Sequence, residues 1–384
     1  MKNSINRRDF LKLSAMASAA MAVPAVANAQ TADTPTIPTR KLGSTGLEIP
    51  ILSMGVMRAD NPSVVRAAYN AGIRHFDTAN GYMNGANEEM LGTFFKDKPR
   101  DSFILATKEQ VRTAQEFAEK FEVSMKRLQM DYVDILYLHS INNAAGLNNA
   151  EIIEVMQKIK ASGRARHLGV SIHGQAPLLE AAVDAKVYEV VLTQYNLQGY
   201  NTPEMMAATE KAAKAGVGLV AMKTMMGGSF MDRERTRPVN TSAALKWVWS
   251  NPNICTAIPG MTSFDHLESN LAAAQHFDEW SDDERKFIAA APREGSLFCH
   301  SCQECIGQCS KHLPIPDMMR AYMYNYGYQA PALALQTISE LGVNADACAG
   351  CESCTVTHCR AGFNIAAKVK DISRISVIPK EFLV

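Results

Sequence analysis

His75-Phe76-Asp77-Thr78-Ala79-Asn80-Gly81-Tyr82 carries a short apolar run into an aspartate, and a tyrosine follows five positions later in a Gly/Asn turn. Two further apolar runs end in polar residues at the same interval, Phe103-Ile-Leu-Ala-Thr-Lys108 and Val133-Asp-Ile-Leu-Tyr-Leu-His139. Asp77, Lys108 and His139 are therefore 31 residues apart, twice over, each at the C-terminal end of an expected strand. A strand, its helix and two loops need about 30 residues, the size of one βαβ repeat. Consecutive parallel strands closing into a (β/α)8 TIM barrel would bring these three side chains and Tyr82 to its C-terminal face, where such barrels carry their chemistry.

Outward from this stretch, alternating apolar runs and helical patterns give eight units. Strands are expected at Ile51–Val56, up to Asp77 or Ala79, up to Lys108, up to His139, and at His167–Ser171, Val190–Tyr195, Gly218–Lys223 and Thr256–Pro259. Helices are expected over about 62–71, 88–95, 114–128, 150–161, 175–185, 203–215, 240–250 and 264–275. The competing architecture is an open doubly wound sheet. No Gly-x-Gly-x-x-Gly follows the first strand, which counts against it.

With Glu88-Glu89-Met90-Leu91-Gly92 following, the four polar residues resemble the Asp, Tyr, Lys and His tetrad of the aldo-keto reductases. Reducing a carbonyl with a nicotinamide needs a hydride donor on one face and a proton donor at the oxygen. A free tyrosine holds its proton too tightly, with a pKa near ~10. A neighbouring ammonium favours the phenolate and brings that value toward neutrality, and an aspartate fixes the ammonium in place. Tyr82 is accordingly read as general acid/base, Lys108 as its electrostatic tuner, Asp77 as the lysine's partner and His139 as the group that orients the carbonyl. Taken singly, Asp77 reads equally as a turn cap, Lys108 as a strand-end charge and His139 as a core histidine. Their common spacing favours a site.

The resemblance runs over about 41–290. Lys41-Leu-Gly-Ser-Thr-Gly-Leu47 is similar to the family's opening hairpin, and Gly55 ends the first strand where the family keeps a backbone contact. Gly169-Val170-Ser171, Gln194 and Asn270 match positions that hold the nicotinamide amide and the adenine end, which implies an NADP or NAD cofactor. There are departures too. Ile172-His173 stands where Asn is usual, Met222 replaces a tyrosine that stacks on the nicotinamide, and Lys223 is expected to face the pyrophosphate. Gly260 and His266 stand where NADPH-specific members carry Lys and Arg, so the strong cations of a 2′-phosphate clamp are missing.

The 39 basic and 39 acidic residues balance, and composition points to no nucleic-acid partner. Residues 1–29 read as a targeting peptide: Asn6-Arg7-Arg8-Asp9-Phe10-Leu11-Lys12 resembles the twin-arginine export signal, an Ala/Met/Val run follows, and Ala27-Asn28-Ala29 is an A-x-A cleavage site. A membrane anchor is the plainer reading, but the run is short and Ala-rich against the roughly 20 strongly apolar residues a span wants. The twin-arginine machinery is thus an expected partner and the periplasm the expected destination. Residues 30–39 are expected to be a flexible leader.

Eight of nine cysteines fall in the last quarter. Cys299-x2-Cys302-x2-Cys305-x3-Cys309 is one set and Cys348-x2-Cys351-x2-Cys354-x4-Cys359 the other, with 38 residues between them. Three thiolates within seven residues can wrap one face of an iron–sulfur cube, and the fourth completes its own cluster or a neighbouring one. The module resembles the dicluster ferredoxins, which implies two [4Fe–4S] clusters. The long spacer, with helix-like Met318–Tyr324 and Leu333–Leu341, favours an all-helical form. Structural zinc prefers separated Cys-x-x-Cys pairs. Disulfides suit an exported chain, but cysteines so close in sequence pair poorly within their own set. Cys255 reads as a small core residue.

The expected organisation is a signal peptide over 1–29, a leader over 30–39, a barrel over 40–292 and a ferredoxin-like domain over 293–384. The expected function is an exported oxidoreductase that moves a hydride between a nicotinamide and a small carbonyl or alcohol. Its iron–sulfur tail is structural or docks a redox partner protein. The rival reading is an electron-transfer or scaffold subunit whose barrel no longer catalyses.

Overall fold

The computed structural model describes residues 36–226, 239–291, 298–351 and 354–382. The targeting peptide and the expected domain boundary at 292/293 lie outside them. A hairpin of β1 (Thr39–Lys41) and β2 (Glu48–Pro50) covers the N-terminal end of a barrel. The barrel strands are β3 (Met54–Gly55), β4 (His75–Asp77), β5 (Ile104–Glu109), β6 (Val133–Ile141), β7 (Ala165–Ile172), β8 (Val190–Gln194), β9 (Gly218–Met222) and β10 (Ile254–Ala257). They pair in sequence order, all parallel, and the bridges Leu52↔Ala257 and Gly55↔Gly260 close the ring. A helix lies between successive strands, as the (β/α)8 reading requires.

Some expected bounds shift. The first strand is short because Ile51 and Ser53 serve the closure: Ala257 N–H donates to Ile51 O and Ser53 N–H to Ala257 O, both at 2.9 Å. For the same reason the last strand is Ile254–Ala257 rather than Thr256–Pro259. β6 continues past His139 to Ile141. The end of the expected leader is built into the barrel, since Pro38 O accepts from Ile51 N–H at 2.8 Å and Ile37 packs on the core. Helix starts follow the capping rule that a short polar side chain satisfies a free N–H of the first turn. Thr113, Asn149, Thr202, Asn240 and Ser263 each do so, which sets helices at Ala114–Leu128, Ala150–Ala161, Pro203–Lys214, Thr241–Ser250 and Phe264–Gln275.

Strand alternation sorts the side chains. Phe76, Leu105, Leu136 and Leu138 point outward into the core shared with the helices. Ile104, Ala106, Ile135 and Tyr137 fill the barrel interior with Leu42 and Ile49 of the hairpin and with Cys255, a core residue as expected. Asp77, Lys108 and His139 continue the inward rows at their upper ends.

From residue 298 onward the described residues contain no strand. Helices Ile315–Tyr322, Pro331–Glu340 and Ile365–Ser373, with a π-helical turn at Met323–Gly327, form the second unit. It has its own core, which includes Ile315, Met318, Ala334, Ile338, Val369 and Ile372. Among the described residues no helix is long and apolar enough to cross a membrane.

Candidate active site

Asp77, Lys108, His139 and Tyr82 meet at the C-terminal mouth of the barrel. The buried Lys108 Nζ donates to Asp77 Oδ1 at 2.6 Å and to Thr78 O at 2.5 Å. It stands 5.0 Å from the centre of the Tyr82 ring, which meets His139 edge-on at 5.9 Å. Tyr82 opens a tight turn in which Met83, Asn84 and Gly85 all take positive φ, so the chain reverses and returns the phenol over the lysine.

Burial raises the Asp77 carboxyl pKa while Lys108 opposes the shift, and burial lowers the Lys108 ammonium while Asp77 opposes it. Each charge opposes the shift that burial imposes on the other. Burial, then the cations Lys108 and Arg320, holds His139 well below its ordinary value, which leaves a neutral imidazole. Tyr82 departs from expectation. Its pKa is raised well above the ordinary phenol, by burial first and then by Asp77, Tyr324 and Tyr328. The lysine's charge is already spent on the aspartate, and the phenol is covered by another part of the chain.

That cover is the cysteine-bearing unit, which sits on the barrel mouth. Arg320 Nη1 donates to Ser140 Oγ at 2.7 Å, Gln303 Nε2 to Asn142 O at 2.5 Å and Gln175 Nε2 to His300 O at 2.7 Å. Asn142 Nδ2 also donates to Asp317, and the Arg58 guanidinium lies 5.5 Å over the Tyr328 ring. Ser140 follows His139 directly with φ 64°, a left-handed strain that non-glycine residues rarely bear. A cavity of about 20 Å³ remains between the two units, lined in part by His173, Gln194, Lys223, Cys299 and Arg320. That is room for about one water molecule.

The residues matched to cofactor contacts divide accordingly. Ser171 Oγ accepts the Ser140 N–H at 2.7 Å. Gln194 Oε1 accepts from Tyr200 OH at 2.6 Å, and the same hydroxyl lies 3.2 Å from His300 O. Lys223, at φ 55°, reaches Met323 Sδ at 3.9 Å, and burial pushes its pKa down to about 7. All three are thus tied to the second unit directly or through one neighbour. At the other end of the expected cleft Gly260 is exposed, His266 Nδ1 is paired with Thr262 Oγ1 at 3.2 Å, and Asn270 is buried in its helix. Gly55 meets Pro259 O through its N–H at 3.2 Å, and a Cβ there would lie 2.7 Å from Ile258 O, so barrel closure already requires a glycine.

Regular spacing does not mark Ser140 or Arg320. Tyr322-Met-Tyr324-Asn-Tyr326-Gly-Tyr328, a tyrosine at every second position, is the sequence signal for the segment near Tyr82. Its i,i+4 pairs meet tilted across the π-turn, with ring centres 4.4 Å apart for Tyr322 and Tyr326 and 5.8 Å for Tyr324 and Tyr328.

None of the nine cysteines is in a disulfide. Among the described residues no three His, Cys, Asp or Glu side chains converge closely enough to hold a metal ion. Electrostatics couples Cys359, rather than Cys309, to the first three cysteines. Burial pushes Cys299 up to about 11, with Cys302 and Cys359 adding to it, and Cys305 likewise up to about 12 beside Cys299, Cys302 and Cys359. Cys309 instead lines an open pocket with Cys348, Cys351 and Cys354.

Residues 53–242 match the Aldo/keto reductase family, and residues 4–24 match the twin-arginine translocation pathway signal sequence. L-galactose dehydrogenase of Arabidopsis thaliana is 26% identical over 298 residues, 64% of this chain and 90% of that protein. D-threo-aldose 1-dehydrogenase of a Pseudomonas species is 28% identical over 237 residues, 50% of this chain and 70% of that protein. The structure of an aldo-keto reductase from Bacillus halodurans in its holo form shares the fold at TM-score 0.55 and 22% identity, covering 66% of this chain and 96% of that one.

Proposed function

Given that this chain carries an aldo/keto reductase domain behind a twin-arginine export signal, in a family of oxidoreductases that use NAD(P)H, we propose that it is an exported, periplasmic enzyme interconverting a small carbonyl and its alcohol. The observation that carries this reading is the convergence of Tyr82, Lys108, Asp77 and His139 at the barrel mouth. A bound nicotinamide would supply or accept the hydride. Tyr82 holds its proton firmly and gives it to the carbonyl oxygen as negative charge develops there. Lys108, anchored by Asp77 and Thr78 O, keeps a positive charge beneath the phenol. Neutral His139 offers one N–H to orient the carbonyl. Ser171, Gln194 and Lys223 supply a hydroxyl, an amide and an amine on successive strand ends, a donor set suited to a dinucleotide. Gly55, Gly260 and Asn270 would take its other end.

The test is nucleotide-dependent turnover of aldoses and short aldehydes by the mature protein. Tyr82→Phe should bind nucleotide as before and turn over about 10²–10⁴-fold more slowly. A near-normal rate would remove Tyr82 from this role.

We further propose that the C-terminal unit is a domain, from about residue 293, that holds two [4Fe–4S] clusters, one on Cys299, Cys302, Cys305 and Cys359 and the other on Cys309, Cys348, Cys351 and Cys354. The crossed grouping supports this, because in two-cluster ferredoxins the last cysteine of each run serves the other cluster. Clusters would supply one-electron transfer, and exchange with two-electron hydride chemistry calls for a redox partner. Anaerobically isolated protein should be brown, with near-equal iron and sulfide, and Cys302→Ser or Cys351→Ser should each lower the iron. Colourless protein with stoichiometric zinc would end this assignment.

A further inference from the structure

The two cysteine groups have unlike surroundings. Cys299 lines the small cavity at the barrel mouth beside Gln194 and Lys223, and Cys305 is buried in the unit's core. Cys351 and Cys354 are exposed, and with Cys309 and Cys348 they line a pocket open to solvent. Its rim carries the exposed cations Lys311, Lys370 and Arg374 against the single described carboxylate Asp346. Lys311 donates to Ala349 O, which holds its ammonium over the second cysteine run. Three and four positions after Arg374 come two exposed apolar side chains, Val377 at 69% and Ile378 at 41%. A basic rim, with exposed apolar side chains close by along the chain, is the make-up of a small transient interface.

We propose that this face, built on Lys311, Lys370 and Arg374, docks an acidic one-electron carrier protein. The inference rests on the iron–sulfur reading of the module. The carrier gives up one electron and is oxidised by one. The group held by Cys309, Cys348, Cys351 and Cys354 is reduced by one, and no proton or bond changes hands. Charge complementarity selects the occupant, since three fixed cations repel a basic carrier and steer an acidic one. Such steering raises association rates by 10–10³ and weakens steeply with salt. The side of the unit bearing Cys299 is pressed on the barrel, so carriers in solution meet the other group.

The experiment mixes the full mature protein, iron-loaded, with a flavodoxin hydroquinone, an acidic one-electron donor, and follows bleaching of the cluster absorbance in a stopped flow. Reduction should slow as ionic strength rises. The triple variant Lys311→Glu, Lys370→Glu, Arg374→Glu should react at least about 10-fold more slowly, with unchanged iron content and the same final bleaching by dithionite. Equal rates for variant and parent, or a rate indifferent to salt, would overturn the docking surface alone. Iron-free protein would overturn the reading beneath it as well.

Discussion

Lys108 is the residue on which the barrel mouth most depends. Its ammonium is 1% exposed and answered by one carboxylate and one carbonyl, with Asp77 Oδ2 already lacking a partner. Removing the cation strands a buried charge, which costs far more than the pair contributes. Lys108→Met should therefore lower the unfolding free energy by about 3–5 kcal/mol. Adding Asp77→Asn should recover part of that, measured by urea denaturation of both variants. If the single variant is as stable as the parent, the pair is not closed in solution. At this scale the sequence is legible where periodicity applies, because two 31-residue steps fix three strand ends and alternation turns them inward. It is not legible for Arg320 and Ser140, whose contact is long-range and has no period. Burial and then Asp77 push the Tyr82 pKa up, and the phenols that add to the shift come from 242 positions or more along the chain, which no local spacing marks.

Helices with strong local signals come through well: Ala114–Leu128, Ala150–Ala161 and Phe264–Gln275 have the expected bounds. A missed helix, Asp282–Ala290, carries a signal of its own, the capping box Ser281-Asp-Asp-Glu284. It falls where the eight-unit pattern has ended, so nothing in the repeat calls for a helix there. Glu284 does more than cap. It binds Lys246 at 2.8 Å and Ser242 at 2.6 Å, tying this last helix to Thr241–Ser250. Burial alone would raise its carboxyl, yet Lys246, Ser242 and the Ser281 N–H bring it down to about 2. A carboxyl whose folded pKa lies below its unfolded one stabilises above the unfolded value of about 4.3. That contribution is lost as pH falls toward 2. Glu284→Gln should thus cost about 2–4 kcal/mol at pH 7, and the difference from the parent should shrink between pH 5 and pH 2. A difference independent of pH would mean that lost packing, rather than lost charge, is responsible.

On the scale of the whole molecule, two units that the sequence separates by composition turn out to share one site. The cysteine spacing marks a module but says nothing of where it rests, because docking surfaces are set by contacts without sequence period. Here they fall on the end of the cleft where Ser171, Gln194 and Lys223 would receive a nicotinamide. Ligand pockets of this kind need about 300–1,000 Å³, and the cavity left is about 20 Å³. A dinucleotide held by these residues would compete with the docked module, and linkage would make that competition reciprocal. Arg320→Ala with Gln303→Ala removes two of the donors that hold the module to Ser140 and Asn142. Nucleotide affinity should then rise by about tenfold, or roughly 1.4 kcal/mol, as read by titration of NADPH and NADH against the full chain. In the parent protein, saturating nucleotide should speed amide exchange across the helix Ile315–Tyr322, which the docked state covers. With neither strong cation at Gly260 nor at His266, the two nucleotides should gain alike. Unchanged affinity in the variant, together with unchanged exchange in the parent, would show that the nucleotide binds without displacing the module. The barrel mouth would then have to accommodate both at once.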